Sequence, residues 1–429
     1  MASIRKRGNS YQISVSNGRD ISGKQIFERT TFTPPAGMTD KQTEKAVNSY
    51  AVKFEEKVKS GQYLSGEKMT LVDFIEEWKK QAKGELRITY YEKVVDALDR
   101  FILPNIGHML LSKITPLHVR NLVDKWISDG YTVNGKHMDY APATIRRLLL
   151  SLQSPLEYAV DMNIITENPC HRVRPPKLNR KNSDIKSFNI EEAQRFLEYI
   201  EKPYTIAYHG KICKDGNRTV KYLRDNTVSY QLQVFYNICM FGGCRAGEVL
   251  ALTWDDIDFQ NNAISIAKST SQTKTAGMIT KETKTGDSRR VNFPDTVMQM
   301  LKKHRAEQDE YRLSLGTAWR GENHLFTQYD GKQMYYSSPM VAFSKIIARH
   351  NATVSEEEKL PVISLHGLRH TAASLLIAQN MDIKTVSQRL GHKQTSTTLN
   401  IYAHALEKMD VKAATVLEDI LTKKPVSIR

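Results

Sequence analysis

A chain of 429 residues exceeds what one ordinary hydrophobic core supports, so two or three domains are expected. Hydrophobic residues at 40% and charged residues at 25% exclude wholesale disorder, and no stretch approaches the roughly 18 apolar residues a membrane span needs. The 62 Lys and Arg against 47 Asp and Glu leave +15, a surplus that suits a polyanionic partner through counterion release, or simply a solubilising surface. Cys170, Cys213, Cys239 and Cys244 form no CxxC pair and have no nearby His at ligand spacing, so no structural zinc is expected. Sparse, irregular cysteines fit a reducing cytoplasm, and the basic amino terminus lacks the apolar run of a secretory signal. The reading is a soluble, intracellular protein.

In chain order, Tyr11, Ile13 and Val15 alternate with polar residues, Asn17-Gly18 offers a turn, and Ile26 to Phe32 reads as the returning strand. Thr39 with Gln42 forms a capping box for a helix carrying Ala46, Tyr50, Phe54 and Val58 near one face. The basic residues of this small sheet unit, Arg5, Lys6, Arg7, Arg19, Lys24 and Arg29, suit a nucleic-acid groove or a solvated surface equally.

From Thr70 the pattern turns helical. Thr70 caps a helix with Leu71, Phe74, Ile75 and Trp78 at helical spacing. A second helix runs from about Thr89 to Phe101 and stops before Pro104, and a third from Thr115-Pro116 to Gly130. A fourth runs from Pro142 to about Tyr158, and the unit closes at Asn168-Pro169. Residues 171–187 hold six Lys or Arg and two prolines, the composition of an extended linker. Arg172, Arg174, Lys177, Arg180 and Lys181 there could track a phosphate backbone or serve a solvated hinge.

A larger mixed domain follows. Asn189 opens a helix with Ala193, Phe196, Leu197 and Ile200; residues 203–228 read as polar and irregular; Gln231 to Gly242 returns to apolar helix. Ala263–Ile266 and Arg290–Phe293 look like strands around a long polar hairpin, and the remainder is mainly helical to a tail near Val416–Leu421.

Four segments of this domain carry chemically useful side chains, each with an ordinary structural explanation when taken singly. Arg245 follows two glycines at a helix start, with Glu248 near enough to pair with it. Lys284 lies beside a Thr-Gly-Asp turn. His366 and Arg369 share a helix face at i and i+3. His392 follows a glycine at a helix end, ten residues before Tyr402. Together, two arginines, a lysine, two histidines and a tyrosine form an inventory for metal-free phosphoryl transfer.

These segments, in this order, resemble the tyrosine recombinases of the phage-integrase type. The strings HGLRHT and LGH…TT…IYAH carry most of that resemblance, and the family pattern Lys-Thr-x-x-Ser-x-Arg is matched by Lys284, Thr285, Ser288 and Arg290, which selects Lys284 over Lys281. The resemblance implies a catalytic set of Arg245, Lys284, His366, Arg369, His392 and Tyr402, with Glu248 in support. It also implies a multidomain, mainly α fold with small β-sheets (α+β). Residues 1–65 would be an arm-type DNA-binding domain, 66–172 a helical SAM-like core-binding domain, 173–187 a basic linker and 188–429 the mixed catalytic domain with its tail. The implied activity is site-specific cleavage and rejoining of double-stranded DNA through a 3′-phosphotyrosyl link, without cofactor, by a homo-tetramer in the bacterial cytoplasm at the nucleoid. An excisionase and a DNA-bending protein are possible partners, and no membrane is involved. Val411, Val416 and Ile420 suit either docking on a neighbouring subunit or an ordinary closing helix. The competing readings are a type IB topoisomerase and a DNA-binding regulator without catalysis.

Overall fold

The computed structural model describes residues 2–19, 23–59, 69–133, 136–177, 186–212, 218–282, 288–392, 394–396, 398–399, 418 and 421. The chain divides into two compact units, Met1–Asn179 and Arg180–Arg429. Among the described residues no helix is long and apolar enough to cross a membrane.

The first unit begins with three antiparallel strands, β1 (Ser3–Arg7), β2 (Ser10–Arg19) and β3 (Gln25–Phe32), in the order β1-β2-β3. The Asn17-Gly18 turn expected from sequence is corrected. Both residues lie inside β2, and the register shifts between Ser16 and Arg19, so the positive φ of Gly18 serves an irregularity in the strand rather than the reversal. Helix α1 (Asp40–Lys59) starts at the expected box, Gln42 Oε1 accepting the Thr39 N–H at 3.0 Å. Its buried residues include Val47, Ala51, Phe54 and Val58, the last three packing with Ile13 and Val15; Tyr50 is exposed and Ala46 only half-buried.

Next come α2 (Leu71–Glu85), α3 (Ile88–Ala97), α4 (Leu103–Ile106), α5 (Pro116–Asp129) and α6 (Pro142–Asp161). Thr70 and Asp73 cap α2 reciprocally, and Leu71, Phe74, Ile75 and Trp78 are all buried. Pro104 does not end the chain's helical path as expected. A π-helical turn over Leu98–Ile102 leads into α4, where the proline occupies a first-turn position whose missing N–H costs no hydrogen bond. A short hairpin, β4 (Tyr131–Val133) with β5 (Lys136–Met138), follows α5; the sequence reading passed over it, although Asn134-Gly135 between two β-prone runs was the available signal. One apolar core joins α2 to α6, with Trp78, Trp126, Leu152 and Leu156 buried in it.

In the second unit, α7 (Ile190–Glu201) begins with a full capping box between Asn189 and Glu192 and buries Ala193, Phe196 and Ile200. The segment read as irregular is a correction: β6 (Tyr204–Ile212) and β7 (Arg218–Asn226) pair antiparallel as a long hairpin. The strand sequences hold Tyr204, Ile206, Tyr208, Val220, Tyr222 and Leu223, and Asp215-Gly216 between them was the turn signal that the sequence reading passed over. Then come α8 (Tyr230–Gly242), α9 (Ala246–Leu250) and the strands β8 (Ile257–Asp258), β9 (Ala263–Ile266), β10 (Lys268–Thr273), β11 (Gly277–Glu282) and β12 (Arg289–Asn292). Strands β8, β9 and β12 form one antiparallel sheet in the order β12-β9-β8, and β10 and β11 form the polar hairpin between its members. Helices α10 (Asp295–Leu315), α11 (Ser338–Thr353), α12 (Gly367–Ala378) and α13 (Ile383–Leu390) complete the described fold. Phe196, Tyr236 and Phe343 make tilted and edge-on ring contacts at the centre of its core.

Candidate active site

Helix α8 is apolar nearly all round and runs through the core, with Val234, Phe235, Tyr236 and Ile238 fully buried. It ends where Gly243 takes a left-handed φ of +61°, and a Cβ there would lie 2.6 Å from Leu390 Cδ2. The reversal puts Arg245 at the cap of α9 and Glu248 three residues on. Glu248 Oε2 accepts the Arg245 backbone N–H at 2.9 Å, and Oε1 accepts Arg245 Nη1 at 2.8 Å. The Arg245 side chain keeps a solvent-facing side, whereas that of Glu248 is 3% exposed.

Strand β12 supplies a second partner to this carboxylate. Its alternation turns Arg290 outward onto Asp258 and Arg289 inward with Val291. Arg289 Nη2 and Nη1 reach the two Glu248 oxygens at 2.7 and 3.2 Å, and its Nε donates to the Arg389 carbonyl at 2.8 Å. Burial works to raise the Glu248 pKa, but the Arg289 hydrogen bonds and charge, with Arg245, hold it down at about 2.

At the start of α12, His366 and Arg369 are three residues apart. Arg369 is 2% exposed and donates from Nη1 to the Gly243 carbonyl at 2.8 Å, while its Nη2 is buried without a hydrogen-bond partner among the described residues. Burial, and then the nearby Arg245, lower its pKa to about 10. His366 faces solvent on one side; desolvation of the rest, with Arg369 and Arg245, lowers its pKa. Its ring meets that of His370 edge-to-face, centroids 4.8 Å apart. Burial, then His366 and Arg369, bring His370 to about 4.

Helix α13 is capped by Asp382, which accepts from the Thr385 N–H, and stops at Gly391 with φ +70°. His392 follows, its N–H bonded to the Ser387 carbonyl and its Nδ1 within 2.8 Å of the buried Thr398 hydroxyl. Desolvation, then Arg369, Arg245 and Arg289, bring His392 to about 4.

The structure thus brings Arg245, Glu248, His366, Arg369 and His392 within electrostatic reach of one another. Lys284 and Tyr402 lie outside the described residues; Lys281 sits exposed on β11, opposite Ser269. Arg5, Lys6 and Arg7 line exposed β1, with Lys6 over the Tyr11 ring. Lys24, Arg174 and Lys177 are exposed, Arg172 pairs with Glu167, and Arg180, Lys181 and the side chain of Arg19 are outside the described set. Sequence reading passed over Arg289, His370 and Thr398. The inward period of β12, with Val291 two residues on, was the available signal for Arg289, and Thr398 is one of the two threonines of the LGH…TT string.

Comparison with known proteins identifies the family and the fold. The phage integrase family pattern matches residues 214–409, and the pattern of the phage integrase N-terminal SAM-like domain matches residues 70–127. A tyrosine recombinase XerC-like protein of Caldanaerobacter subterraneus subsp. tengcongensis is 25% identical over 428 residues, 96% of each chain. The ICEBs1 integrase of Bacillus subtilis is 23% identical over 421 residues, 98% of this chain and 100% of that one. The fold is also that of the Tn1549 transposon integrase solved with a circular intermediate DNA, at TM-score 0.60 and 18% identity, covering 80% of this chain and 99% of that chain. The chain belongs to the phage integrase family and is a tyrosine-type site-specific recombinase.

Proposed function

We propose that the protein integrates and excises a phage or conjugative element by cutting and rejoining DNA at Tyr402. The phenol oxygen of Tyr402 attacks the scissile phosphorus and the bond to the 5′-oxygen breaks. The phenol proton passes to His366, whose lowered pKa keeps it neutral and able to accept at pH 7. Lys284 gives a proton to the departing 5′-oxygen. Arg245, Arg369 and His392 hold the non-bridging oxygens. The phosphotyrosyl link conserves the bond, so a 5′-hydroxyl of the partner strand reseals it by the reverse steps.

One observation carries this reading: a buried guanidinium, that of Arg369, is fixed by one hydrogen bond and has a second donor group without a partner among the described residues. An unpaired buried charge is costly, and an anion with two accepting oxygens removes the cost. In this reading residues 1–65 grip arm-type sites, 66–172 core-type sites, and the 173–187 linker follows the backbone between them. Arg5, Lys6, Arg7, Arg19, Lys24, Arg172, Arg174, Lys177, Arg180 and Lys181 contact phosphates. Four protomers assemble on two DNA sites at the bacterial nucleoid, with an excisionase and a bending protein setting direction. The +15 charge supports the duplex partner.

The test is covalent capture of DNA from cells carrying the element, comparing the intact enzyme with Tyr402→Phe under denaturing recovery. DNA held through a 3′ end at one or two loci, and lost in the variant, is the expected result. Attachment that persists in Tyr402→Phe would remove Tyr402 from its role, and scattered Tyr402-dependent attachment would point to a DNA-relaxing enzyme instead.

A further inference from the structure

Arg289 is a deeply placed charge to which the chemistry above gives no task. Its side chain is 9% exposed, against 44% for Arg245, and both guanidinium groups bind the one carboxylate of Glu248. Arg245 and Glu248 alone would make a pair of zero net charge. With Arg289 present the group carries one net positive charge, and the guanidinium that reaches solvent is that of Arg245.

The same side chain touches the segment that carries His392. Arg289 Nε donates to the carbonyl of Arg389, three residues before His392. A Cβ on Gly391 would stand 2.7 Å from Arg289 Nη1, so the backbone entering His392 runs directly against this guanidinium. Arg389 ties the turn further, donating to the carbonyls of Phe241 and Asn292.

We propose that Arg289 is a positioning residue for recombination: it engages Glu248 so that the charge of Arg245 remains available to the scissile phosphate, and it anchors the turn that presents His392. This rests on the reading of Arg245 and His392 as phosphate-binding groups. In the absence of Arg289, Glu248 turns its whole charge on Arg245 and competes with the phosphate.

The experiment uses the full-length protein and a nicked duplex carrying the core site found by covalent capture. Single-turnover formation of the protein–DNA adduct is measured beside DNA affinity for Arg289→Met, Arg289→Lys, Glu248→Gln and the double variant Arg289→Met with Glu248→Gln. Arg289→Met should slow adduct formation about 100-fold, the scale of losing one preorganised cationic contact, while DNA affinity stays within about threefold. The double variant should be about 10-fold faster than Arg289→Met, because no unpaired carboxylate remains to hold Arg245. A merely structural role makes the second substitution an added loss, so a double variant slower than the single overturns the proposal, as does Arg289→Met reacting at the parental rate. Should Arg289→Met fail to fold, Arg289→Lys carries the test; it should retain DNA affinity and react about 10-fold more slowly, and a parental rate refutes the proposal. Arg245→Lys and Tyr402→Phe serve as controls. If they react normally the site reading itself has failed; if they are inert while Arg289→Met is not, only the role of Arg289 has.

Discussion

The Nη1 of Arg369 donates to the carbonyl oxygen of Gly243 at 2.8 Å, and this bond aims a buried guanidinium whose other terminal nitrogen meets no acceptor among the described residues. The carbonyl is available because α8 ends at Gly243 in a left-handed conformation. A helix end and a charged side chain 126 residues apart in the chain thereby define one corner of the proposed phosphate site.

Arg369→Met is expected to separate stability from activity. It removes a desolvated, half-satisfied charge, so the thermal midpoint should stay level or rise, while adduct formation falls about 10²- to 10³-fold. Melting curves and single-turnover assays on the same preparation check both. A strongly lowered midpoint would show that Arg369 holds the core together rather than waiting for an anion.

Gly391→Ala should destabilise the protein by about 2 kcal/mol. Roughly 1–2 kcal/mol comes from forcing an L-residue to φ +70°, and displacement of Arg289 by the new methyl adds to it. Urea unfolding of parent and variant measures the difference. Gly277→Ala provides the comparison, since its φ is +67° but nothing lies within 4 Å of the added Cβ.

Glu248→Gln should cost about 3 kcal/mol, the scale of removing one partner from a buried ion pair. The pH dependence has a definite sign. The folded pKa of about 2 lies below the ordinary value of 4.5, so the carboxylate's contribution is fully present above pH 4.5 and is lost as pH falls towards 2. Denaturant titrations of parent and variant should therefore converge below pH 4.5 and stay parallel above it.

The histidines act over a higher window. His370 and His392 sit at about 4 in the folded protein against an ordinary 6.5, so between these values the unfolded chain binds more protons. Stability should fall as pH is lowered from 6.5 to 4, and the slope should flatten in a His370→Gln, His392→Gln variant. Added inorganic sulfate should raise the melting point of the parent more at pH 5.5 than at 7.5, because an anion in the pocket favours protonated His392.

Local chemistry made much of this protein legible in its residues alone. The Thr70 and Asn189 caps, the stripe Leu71-Phe74-Ile75-Trp78 and the Gly130 stop depend on interactions within a few residues, and the structure carries each as expected. The motifs around Arg245, His366, Arg369 and His392 were visible for the same reason: the candidate catalytic groups are named by type and short spacing. Tertiary structure decided the rest. The 204–226 hairpin and the Asn17-Gly18 irregularity are set by strand register, which is a property of pairs of segments and not of either one. Pro104 lies within the helical path because the chain widens into a π turn just before it. Above all, the partners of Arg289 lie 41 and 100 residues away, and a charge is drawn into the interior only where a carboxylate and a carbonyl already wait for it.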